Sequence, residues 1–328
     1  MASIKSLYTK FDRYIKLMEE GGIEQRFPHL RYGMGILCNY VLFRATITDY
    51  FELRLFQKKY HEKQQYMTSK MGLYFAEKVD TKEQLKRLNS KKAMYNQLHK
   101  YVGREQLFTD EMSYEDFEAF VEKHPVFIYK PDSLDCGRGV EKWAVTPEHM
   151  DEMYRKAIHS PAILDELVEQ HPLMKRLNES SVNTVRIFTL RIGDVIHYIG
   201  ASLRMGRGPT VVDNYSAGGL VGALDLNRGV VIDNAEDAAG NRYSIHPISG
   251  VPIKGFRIPH WKQVINLART CALDYELNYV AWDIAVRKND CVLIEANPNG
   301  MINTIQIAGA GGRRRQYSKL LAEFKNNE

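Results

Sequence analysis

The chain has few cysteines, and their spacing fits neither a disulfide framework nor a zinc site. The four cysteines, Cys38, Cys136, Cys271 and Cys291, are scattered through 328 residues. A small secreted domain or a zinc-stabilised fold would show paired or clustered cysteines. The cysteine content therefore argues against both classes and is typical of a protein from a reducing compartment.

Long apolar runs are also absent. No stretch of about 18 consecutive apolar residues occurs, so no membrane span is expected. The first residues, Met-Ala-Ser-Ile-Lys-Ser, lack the apolar core of a signal peptide, and we therefore expect a cytoplasmic protein. The stretch from residue 33 to 45 is fairly apolar, but Asn39 and Arg44 interrupt it, which favours a buried helix over a membrane anchor.

The chain has no strong excess of one charge. The net charge is +5, with 26% charged and 44% hydrophobic residues. This mildly basic balance suits an anionic small molecule or a nucleotide and does not require nucleic acid. The composition is that of a soluble globular protein with enough chain for two or three sub-domains. No Ser-His-Asp or Cys-His arrangement indicates nucleophilic catalysis.

Three regions differ in their sequence patterns. Residues 1–100 contain few glycines and one proline, without strand-like alternation, which predicts a helical N-terminal region. Residues 101–170 contain short apolar strands around a glycine-containing loop, and residues 171–328 alternate strands and turns. Strand pairs with helices between them indicate an α+β fold rather than a doubly wound parallel sheet. In the first region we expect packing between helices by the residues at near-helical spacing, which are Tyr40, Phe43, Tyr50, Phe51, Leu55 and Phe56.

The most informative stretch is residues 280–297, where two apolar runs are separated by a polar turn. This pattern predicts a β-hairpin. With a three-residue loop, Lys288 to Asp290, Asp283 lies opposite Glu295, and Asn297 follows on the same face. The other face is then entirely apolar and carries Trp282, Ile284, Val286, Val292, Ile294 and Ala296. A four-residue loop would instead place Asp283 opposite Ile294.

The polar face of this hairpin is a candidate metal site. Two opposed carboxylates at roughly 5 Å repel each other unless a proton or a cation lies between them. The oxygens of Asp283, Glu295 and Asn297 are suitable ligands for a hard cation such as Mg²⁺. A hairpin that merely exposes a few polar residues is the alternative.

Two arginines lie inside apolar strands. Arg186 follows Val185 and precedes Ile187, and Arg204 interrupts a similar run after Leu203. A charge in such a position needs a partner. Together with the carboxylate pair, the two arginines suggest an anionic ligand held between them and a metal. Structural ion pairing is the alternative.

A glycine-containing loop follows a short strand near Lys130. At Gly137, Arg138 and Gly139, backbone N–H groups could approach phosphates, with Lys130 beside them. The spacing matches neither the P-loop nor the dinucleotide fingerprint. A plain hairpin turn and a solvent-facing lysine are the alternatives.

In combination, these elements resemble the ATP-grasp superfamily, and specifically its sugar-transfer-associated branch, which is related to the α-L-glutamate ligases. The resemblance covers about residues 30–310, and its most specific part is the ending formed by Asp283, Glu295 and Asn297. The matching elements, in the family's order, are Asn89-Ser-Lys91, Lys130, Leu164-Asp-Glu-Leu-Val168, Asn183-Thr-Val-Arg186, Arg204, Asp213-Asn214 with Gly218-Gly219, His246-Pro247, Trp282-Asp283 and Glu295-Ala-Asn297.

The resemblance implies an ATP-grasp fold, in which two α+β sub-domains clasp ATP. Residues 101–170 would form the small sub-domain, with the glycine loop and the hinge, and residues 171–328 the C-terminal sub-domain. Lys91 and Lys130 would contact the nucleotide phosphates, and Lys92 could take the place of Lys91. Gly137, Arg138 and Gly139 would cover the triphosphate, and the backbone of Glu166, Leu167 and Val168 would bind adenine.

The resemblance also implies roles at the reacting end. Asp283, Glu295 and Asn297 would hold one or two Mg²⁺ ions, with Mn²⁺ able to substitute. Arg186 and Arg204 would stabilise the transferring phosphoryl group. Asn214 would line the acceptor side.

The implied activity is that of an ATP-dependent carboxylate–amine ligase, which activates a carboxylate as an acyl-phosphate and forms an amide. Expected substrates are a small-molecule carboxylate and an amine, such as a uronic acid or an amino acid, in surface-polysaccharide or sugar-conjugate biosynthesis. No nucleic acid partner is expected, and the oligomeric state is left open. The alternatives are a small-molecule kinase on the same scaffold and a nucleotide-binding scaffold protein in glycan assembly.

Overall fold

A computed structural model describes residues 4–20, 22–23, 26–132, 139–209, 211–298 and 300–327. The helices are α1 Ile4–Glu20, α2 Pro28–Phe43, α3 Ile47–Glu52, α4 Tyr60–Lys63, α5 Ser69–Val79, α6 Lys82–Arg87, α7 Lys91–Val102, α8 Tyr114–Lys123, α9 Met150–Ala157, α10 Pro172–Lys175, α11 Trp261–Asp274 and α12 Arg314–Asn327. The strands are β1 Gln106–Phe108, β2 Val126–Pro131, β3 Glu141–Ala144, β4 Ala162–Glu166, β5 Thr184–Ile192, β6 Val195–Met205, β7 Leu220–Asp225, β8 Val230–Val231, β9 Ala235–Glu236, β10 Arg242–Tyr243, β11 Tyr279–Val286 and β12 Cys291–Asn297.

Side-chain caps fix the starts of several helices in the N-terminal region. The hydroxyl of Thr46 accepts from the backbone N–H of Asp49, whose carboxylate accepts in return from the Thr46 amide, so α3 begins with a capping box. The hydroxyl of Ser90 caps α7 in a similar way. These caps satisfy N–H groups that have no partner inside the helix. The cap at Ser90 also makes Lys91 the first residue of α7.

Most of the residues predicted to pack between helices in the first region do so. Phe43, Tyr50, Phe51 and Leu55 are each at most 4% exposed. The rings of Tyr50 and Phe51 meet edge to face, with centroids 5.3 Å apart. Tyr40 is the exception at 48% exposed, because it lies on the outer side of α2.

The expectation of a buried helix between residues 33 and 45 is wrong in one respect. The segment is helical, but only one face of α2 is covered, through Tyr32, Asn39 and Phe43. The other face is exposed, with Leu37 at 64% and Val41 at 71%. Because both faces carry apolar residues, the sequence pattern could not show which face the neighbouring helices cover. Within the described ranges, no helix combines the length and the apolar character needed to cross a bilayer.

The first sheet has four antiparallel strands in the order β1-β4-β2-β3. Its core is aromatic: Phe117 of α8 and Phe127 of β2 are fully buried. Tyr129 stacks on Trp143 of β3, with ring centroids 4.5 Å apart. This packing leaves the other face of the sheet, which includes Lys130, available for the site described below.

The second sheet is larger and also antiparallel, with the strand order β10-β9-β7-β6-β5-β11-β12 and with β8 paired to β7. α11 packs against it through a buried stripe that includes Val264, Ala268 and Cys271. β11 is buried at every position. Two antiparallel sheets with helices around them confirm the α+β fold class. The division of the chain at about residues 100 and 170 stays a proposal.

Candidate functional site

A cavity of about 230 Å³ lies between the two sheets. Its walls come from α7, β2 and β4 on one side and from β6, β11 and β12 on the other. Most of the site residues predicted from the sequence line it, namely Lys91, Lys130, Glu166, Leu167, Val168, Arg204, Asn214, Asp283 and Glu295. Gly139, Arg186 and Asn297 do not line it. Gly137 and Arg138 lie outside the described residues.

A row of polar side chains crosses the second sheet at this cavity. Glu295 on β12 pairs with Asp283 on β11, and Asp283 pairs in turn with Arg186 on β5. Arg186 pairs with Ser202 on β6. Residues paired across antiparallel strands point to the same face of a sheet. The topology therefore brings these four side chains together, with Arg204 two residues beyond Ser202 on the same face.

The pairing of Asp283 with Glu295 is the predicted one, but it arises differently. The turn has four residues rather than three, because Val286 pairs with Cys291. A β-bulge then adds one unpaired residue, Ile294, to β12 and restores the pairing of Asp283 with Glu295. A longer turn and a bulge thus compensate for each other.

The bulge corrects the predicted position of Ile294. A regular strand would place Ile294 on the core face, which is wrong, since Ile294 lines the cavity. Leu293 instead pairs with Ile284 and is fully buried. Because strand periodicity assumes an uninterrupted ladder, one unpaired residue reverses the faces on one side of it. Ile294 gives the cavity an apolar wall beside Glu295.

Asp283 is the charge centre of the row. The Nε and Nη2 atoms of Arg186 donate to its two oxygens at 2.7 and 2.6 Å, and Nη1 of Arg204 donates to Oδ2 at 2.7 Å. All three residues are at most 6% exposed. Burial would raise the pKa of Asp283, but the charges of the two arginines outweigh it, and the pKa is lowered. Asp283 is therefore ionised and held by fixed partners.

Glu295 is less constrained than Asp283. Its carboxylate lies 3.7 Å from the ammonium of Lys91, and its side chain is 34% exposed. The amide nitrogen of Asn297 donates to Asp283 at 3.2 Å, which fixes the orientation of the amide group. The Oδ2 atom of Asp283 thus accepts three hydrogen bonds, whereas its Oδ1 atom accepts only the one from Arg186 among the described residues and keeps a lone pair for a further ligand. Glu295 is the more available of the two carboxylates.

The donor set of this face fits a cation that arrives with a phosphate-bearing ligand. Mg²⁺ takes one or two protein carboxylates and completes its shell with waters and phosphate oxygens. Asp283, Glu295 and Asn297 supply two carboxylates and an amide oxygen. Across the ranges that the structure describes, no group of three or more His, Cys, Asp or Glu residues could hold a metal ion. The residues present therefore suit Mg²⁺ shared with a nucleotide better than a permanently bound ion.

The structure distinguishes the two neighbouring lysines at the start of α7. Lys91 lines the cavity, and its backbone N–H donates to Asp132 at 2.9 Å. The ammonium of Lys92 instead binds Asp110 at 2.7 Å and Glu111 at 2.6 Å. Consecutive residues on an α-helix point about 100° apart, so the two lysines cannot share one direction. The geometry favours Lys91 as the lysine of the site.

A second buried ion cluster, which the sequence analysis missed, lies on the opposite wall. Asp165 of β4 accepts from Arg104 at 2.6 and 3.1 Å and from the ammonium of Lys130. Burial would raise the pKa of Asp165, but the charges of Arg104 and Lys130 outweigh it and lower the pKa to about 2. Like Arg186, Asp165 is a charged residue within an apolar run, here residues 162–168. A charge in such a position needs a partner, so Asp165 could have been identified in the same way.

The segment after β4, which was predicted to bind a base, lies at the cavity. The carboxylate of Glu166 accepts from the backbone amide of Glu105 at 2.8 Å, and the Glu166 amide donates to the Glu105 carbonyl at 3.0 Å. Among the hydrogen bonds of the described residues, none uses the N–H of Val168. The nearby walls are apolar and include Met94, Ile128, Ile163 and Ile294. An apolar slot beside a free backbone amide suits a planar heterocycle.

The loop between β6 and β7 closes the other end of the row. Asp213 accepts from the N–H of Thr184 at 3.0 Å and from Arg204 at 2.8 Å. The carbonyl of Asn214 accepts from the N–H of Gly219 at 3.0 Å. A Cβ atom at Gly219 would lie 2.4 Å from the carbonyl oxygen of Asp213, so a side chain there would force the turn open. This tight turn holds Asn214 at the cavity.

Two further residues of the resemblance, Asn183 and His246, stabilise the backbone and do not line the cavity. The amide nitrogen of Asn183 donates to Gln170 at 3.0 Å, and its oxygen accepts from the N–H of Gly206 at 3.2 Å. The ring of His246 lies 2.9 Å from the carbonyl of Gly206. Burial lowers the pKa of His246. Both residues therefore fix the chain where it leaves β6.

A family model and several solved structures are similar to the chain. The model described as sugar-transfer associated ATP-grasp matches residues 62–320. The ATP-grasp ligase PsnB, solved with a phosphomimetic variant of a minimal precursor, Mg and ADP, has a TM-score of 0.47 and 14% identity, over 78% of this chain and 67% of that chain. The ADP complex of N5-carboxyaminoimidazole ribonucleotide synthetase has a TM-score of 0.43 and 12% identity, over 74% and 52%.

A third structure, the N5-carboxyaminoimidazole synthetase of Staphylococcus aureus with ADP, has a TM-score of 0.41 and 10% identity, over 69% of this chain and 52% of that chain. The chain thus spans about two thirds of the length of PsnB and about half that of the two synthetases. No curated protein sequence matches it.

Proposed function

Because the chain belongs to the sugar-transfer-associated ATP-grasp family, we propose that it is an ATP- and Mg²⁺-dependent ligase that joins a carboxylate to an amine. The observation that carries the proposal is the row of Glu295, Asp283 and Arg186, on the opposite side of the cavity from Lys130. In the proposed reaction, the γ-phosphoryl group of ATP passes to a carboxylate oxygen. An amine then attacks the acyl carbon and displaces phosphate, which gives an amide, ADP and phosphate.

The nucleotide end of the cavity is proposed to lie between β4 and the bulge of β12. Ile294 and the apolar residues of the first sheet would enclose adenine, with the N–H of Val168 as a donor to the ring. Lys91 and Lys130 would meet the phosphates. Asp165 supports this role because it holds Lys130 in place, while the additional charge of Arg104 keeps the cluster cationic.

The reacting end is proposed to lie over the charged row. Phosphoryl transfer to a carboxylate needs positioning and charge neutralisation more than a protein nucleophile. Mg²⁺, when bound, supplies part of that neutralisation at the phosphate oxygens, and Mn²⁺ could substitute for it. Glu295 and Asp283, with Asn297, would hold the ion.

The two arginines are proposed to have different roles. Arg204 lines the cavity and is held by Asp213 at 2.8 Å and by Asp283 at 2.7 Å. It therefore presents a fixed positive charge that needs no rearrangement when the phosphoryl group transfers. Arg186 does not line the cavity, and both of its hydrogen bonds to side chains go to Asp283. We therefore assign Arg204 to the transferring group and Arg186 to positioning Asp283.

The acceptor is proposed to bind beside Asn214, beyond Arg204. The family's printed association with sugar transfer motivates the substrates that we propose: a uronic acid or an amino acid as the carboxylate, and an amino acid or another small amine as its partner. The setting would be the biosynthesis of a surface polysaccharide or another sugar conjugate.

The test uses hydroxylamine as a surrogate amine. The full-length protein is incubated with ATP, Mg²⁺, hydroxylamine and pools of uronic acids or amino acids, and both ADP and hydroxamate are measured. Hydroxylamine attacks an acyl-phosphate to give a hydroxamate and phosphate, so both products are expected in the pool that contains the substrate. The Glu295→Gln variant should lower the rate by at least about tenfold, since losing even an outer-shell partner of a metal costs that much.

The outcomes separate the proposal from its alternatives. ADP release with a stable phosphorylated product and no hydroxamate would identify a kinase. ATP binding without turnover in any pool would identify a nucleotide-binding scaffold. Unchanged turnover in Glu295→Gln would remove the charged row from the mechanism. Each of these results contradicts the ligase proposal.

A further inference from the structure

The outward side of α2 carries a continuous apolar stripe. Phe27, Leu30, Met34, Leu37 and Val41 are between 59% and 71% exposed. The four residues from Leu30 onward follow one another at intervals of three and four, which places them along one side of the helix, and Phe27 immediately precedes its first turn. Further exposed apolar residues are Leu42, near the end of α2, and Leu73 and Tyr74 on α5, which line a surface pocket together with Val41. These eight residues are called the apolar face below.

A patch of this kind needs an explanation. Soluble monomers expose scattered apolar side chains, whereas contiguous apolar patches mark interaction sites. The side of α2 that faces the protein is covered by its own set of residues, including Tyr32 and Phe43. The apolar face is therefore not required for folding of the helix onto α1 and α3.

Several cations near the apolar face have no carboxylate partner among the described residues. From residue 26 to 44 the sequence contains three arginines and no aspartate or glutamate. Within the part of the chain that the structure describes, Arg26, Arg31, Arg44 and Lys70 form no ion pair, and the nearby Glu77 pairs with another lysine. Lys70 instead donates to the hydroxyl of Tyr40 at 2.8 Å and lies 4.2 Å from the centre of its ring.

We propose that the apolar face docks on an anionic lipid bilayer. The aliphatic side chains and Phe27 would enter the boundary between headgroups and acyl chains, as the apolar side of an interfacial helix does. Tyr40 and Tyr74 suit the headgroup level, because each has an apolar ring and a polar hydroxyl. The unpaired arginines and Lys70 would face the anionic headgroups.

A second copy of the chain is the main alternative occupant, because the same three- and four-residue spacing suits pairing of helices. Two copies of α2 would bring their arginines together, and the segment has no acidic residue to offset them. Like charges across a contact oppose association. An anionic bilayer has the complementary charge, so the charge pattern favours lipid over self-association. This proposal does not depend on the ligase reaction.

The test is co-sedimentation of the full-length protein with phosphatidylcholine vesicles, with and without phosphatidylglycerol. We expect binding to the anionic vesicles, weak binding to the neutral ones, and a decrease as NaCl is added. The double variant Leu37→Glu/Val41→Glu should lower the partition coefficient by at least about tenfold, because two apolar side chains are replaced by anions. Arg31→Gln and Arg44→Gln should each lower it by about fivefold on anionic vesicles only.

The matched control is Ile245→Glu/Ile248→Glu, which places the same two charges at other exposed apolar positions, 53% and 67% exposed. It should bind like the unmodified protein, and circular dichroism should show that all variants are folded. Absence of binding to anionic vesicles, or equal binding by the double variant, would overturn the proposal. A dimer that the double variant converts to a monomer, in a protein that does not bind vesicles, would assign the face to a second copy instead.

Discussion

At the scale of single residues, the two carboxylates of the hairpin should respond differently to loss of charge. Asp283→Asn leaves Arg186 buried without a counter-charge, because within the described residues its ion pair is to Asp283. We expect a loss of about 3 kcal/mol or more in the free energy of unfolding. Glu295→Gln removes only a long, partly exposed pair to Lys91 and should change stability by less than about 1 kcal/mol.

Urea unfolding of both variants checks this prediction, and ATP turnover is measured in parallel. Glu295→Gln should remain as stable as the unmodified protein while losing activity, which makes it the cleaner probe of the mechanism. If Glu295→Gln unfolds as readily as Asp283→Asn, the description of Asp283 as the buried charge centre is wrong.

The neighbouring lysines of α7 give a second residue-scale prediction. Lys91→Met should weaken ATP binding by about tenfold or more, because a hydrogen bond to a charged group is worth roughly 1.5–3 kcal/mol. Lys92→Met should leave ATP binding unchanged, since its ammonium is directed to Asp110 and Glu111. Titration calorimetry with a non-hydrolysable ATP analogue compares the two. A larger effect at Lys92 would reverse the assignment made from the cavity.

Single residues were predictable from the sequence where a charged residue lies within an apolar segment. Arg186, Arg204 and Asp283 were identified because each is a charged residue in an apolar strand, which needs a partner. Asp165 is likewise a charged residue in an apolar run, but the sequence analysis includes it only within the motif Leu164-Asp-Glu-Leu-Val168 and gives it no role. The partners themselves could not be predicted, because Arg104 is 61 residues from Asp165 in sequence and only the folded chain brings them together.

At the scale of elements, the bulge in β12 predicts different effects of alanine substitution at the two adjacent residues Leu293 and Ile294. Leu293→Ala should cost about 2–5 kcal/mol of stability, because Leu293 is fully buried in the core of the second sheet. Ile294→Ala should cost less stability but weaken ATP binding several-fold, because Ile294 lines the cavity. Chemical unfolding and ATP titration on both variants give the comparison. A regular hairpin without the bulge would exchange the two results.

The elements themselves were largely predictable. The helical first region, the hairpin at 280–297 and the α+β arrangement are confirmed, and the family match confirms the ATP-grasp resemblance. The bulge was not predictable, because β-strand periodicity gives no local signal for one unpaired residue. The exposed side of α2 was not predictable either, since an apolar residue looks the same whether or not a neighbour covers it.

At the scale of the whole molecule, buried carboxyl groups connect the helical region to the rest of the chain. Glu52 of α3 accepts from the hydroxyl of Tyr14 at 2.8 Å and from the amide of Asn303 at 2.9 Å. Asp80 accepts from the backbone amides of Asn278 and Tyr279 at 2.7 and 3.1 Å. Burial raises the pKa of Glu52 to about 7 and that of Asp80 to about 6.

These raised pKa values predict that the contributions of Glu52 and Asp80 to stability fall as the pH rises from about 5 to 7, whereas the lowered pKa of His246 contributes with the opposite sign. A carboxyl group with a higher pKa in the folded state binds its proton more tightly there, so its contribution is complete below the unfolded pKa and is lost as the pH rises through the folded pKa. The shift of Glu52 from 4.5 to about 7 corresponds to roughly 3 kcal/mol. The pKa values of Asp165 and Asp283 are lowered, so these two groups change protonation below pH 5 and do not affect stability between pH 5 and 7.

Glu52→Gln should reduce the fall in stability across this range, because glutamine has no charge to bury. The unpartnered Oδ1 atom of Asn303 can then accept a hydrogen bond from the new amide. Urea unfolding at several pH values between 5 and 8 measures the slope, with Glu122→Gln, at an exposed position, as the control that should keep the slope of the unmodified protein. Equal slopes in all three proteins would mean that Glu52 is ionised throughout this range. The carboxylate would then join α1 and α3 to the segment after β12 as an anion rather than as a neutral acid.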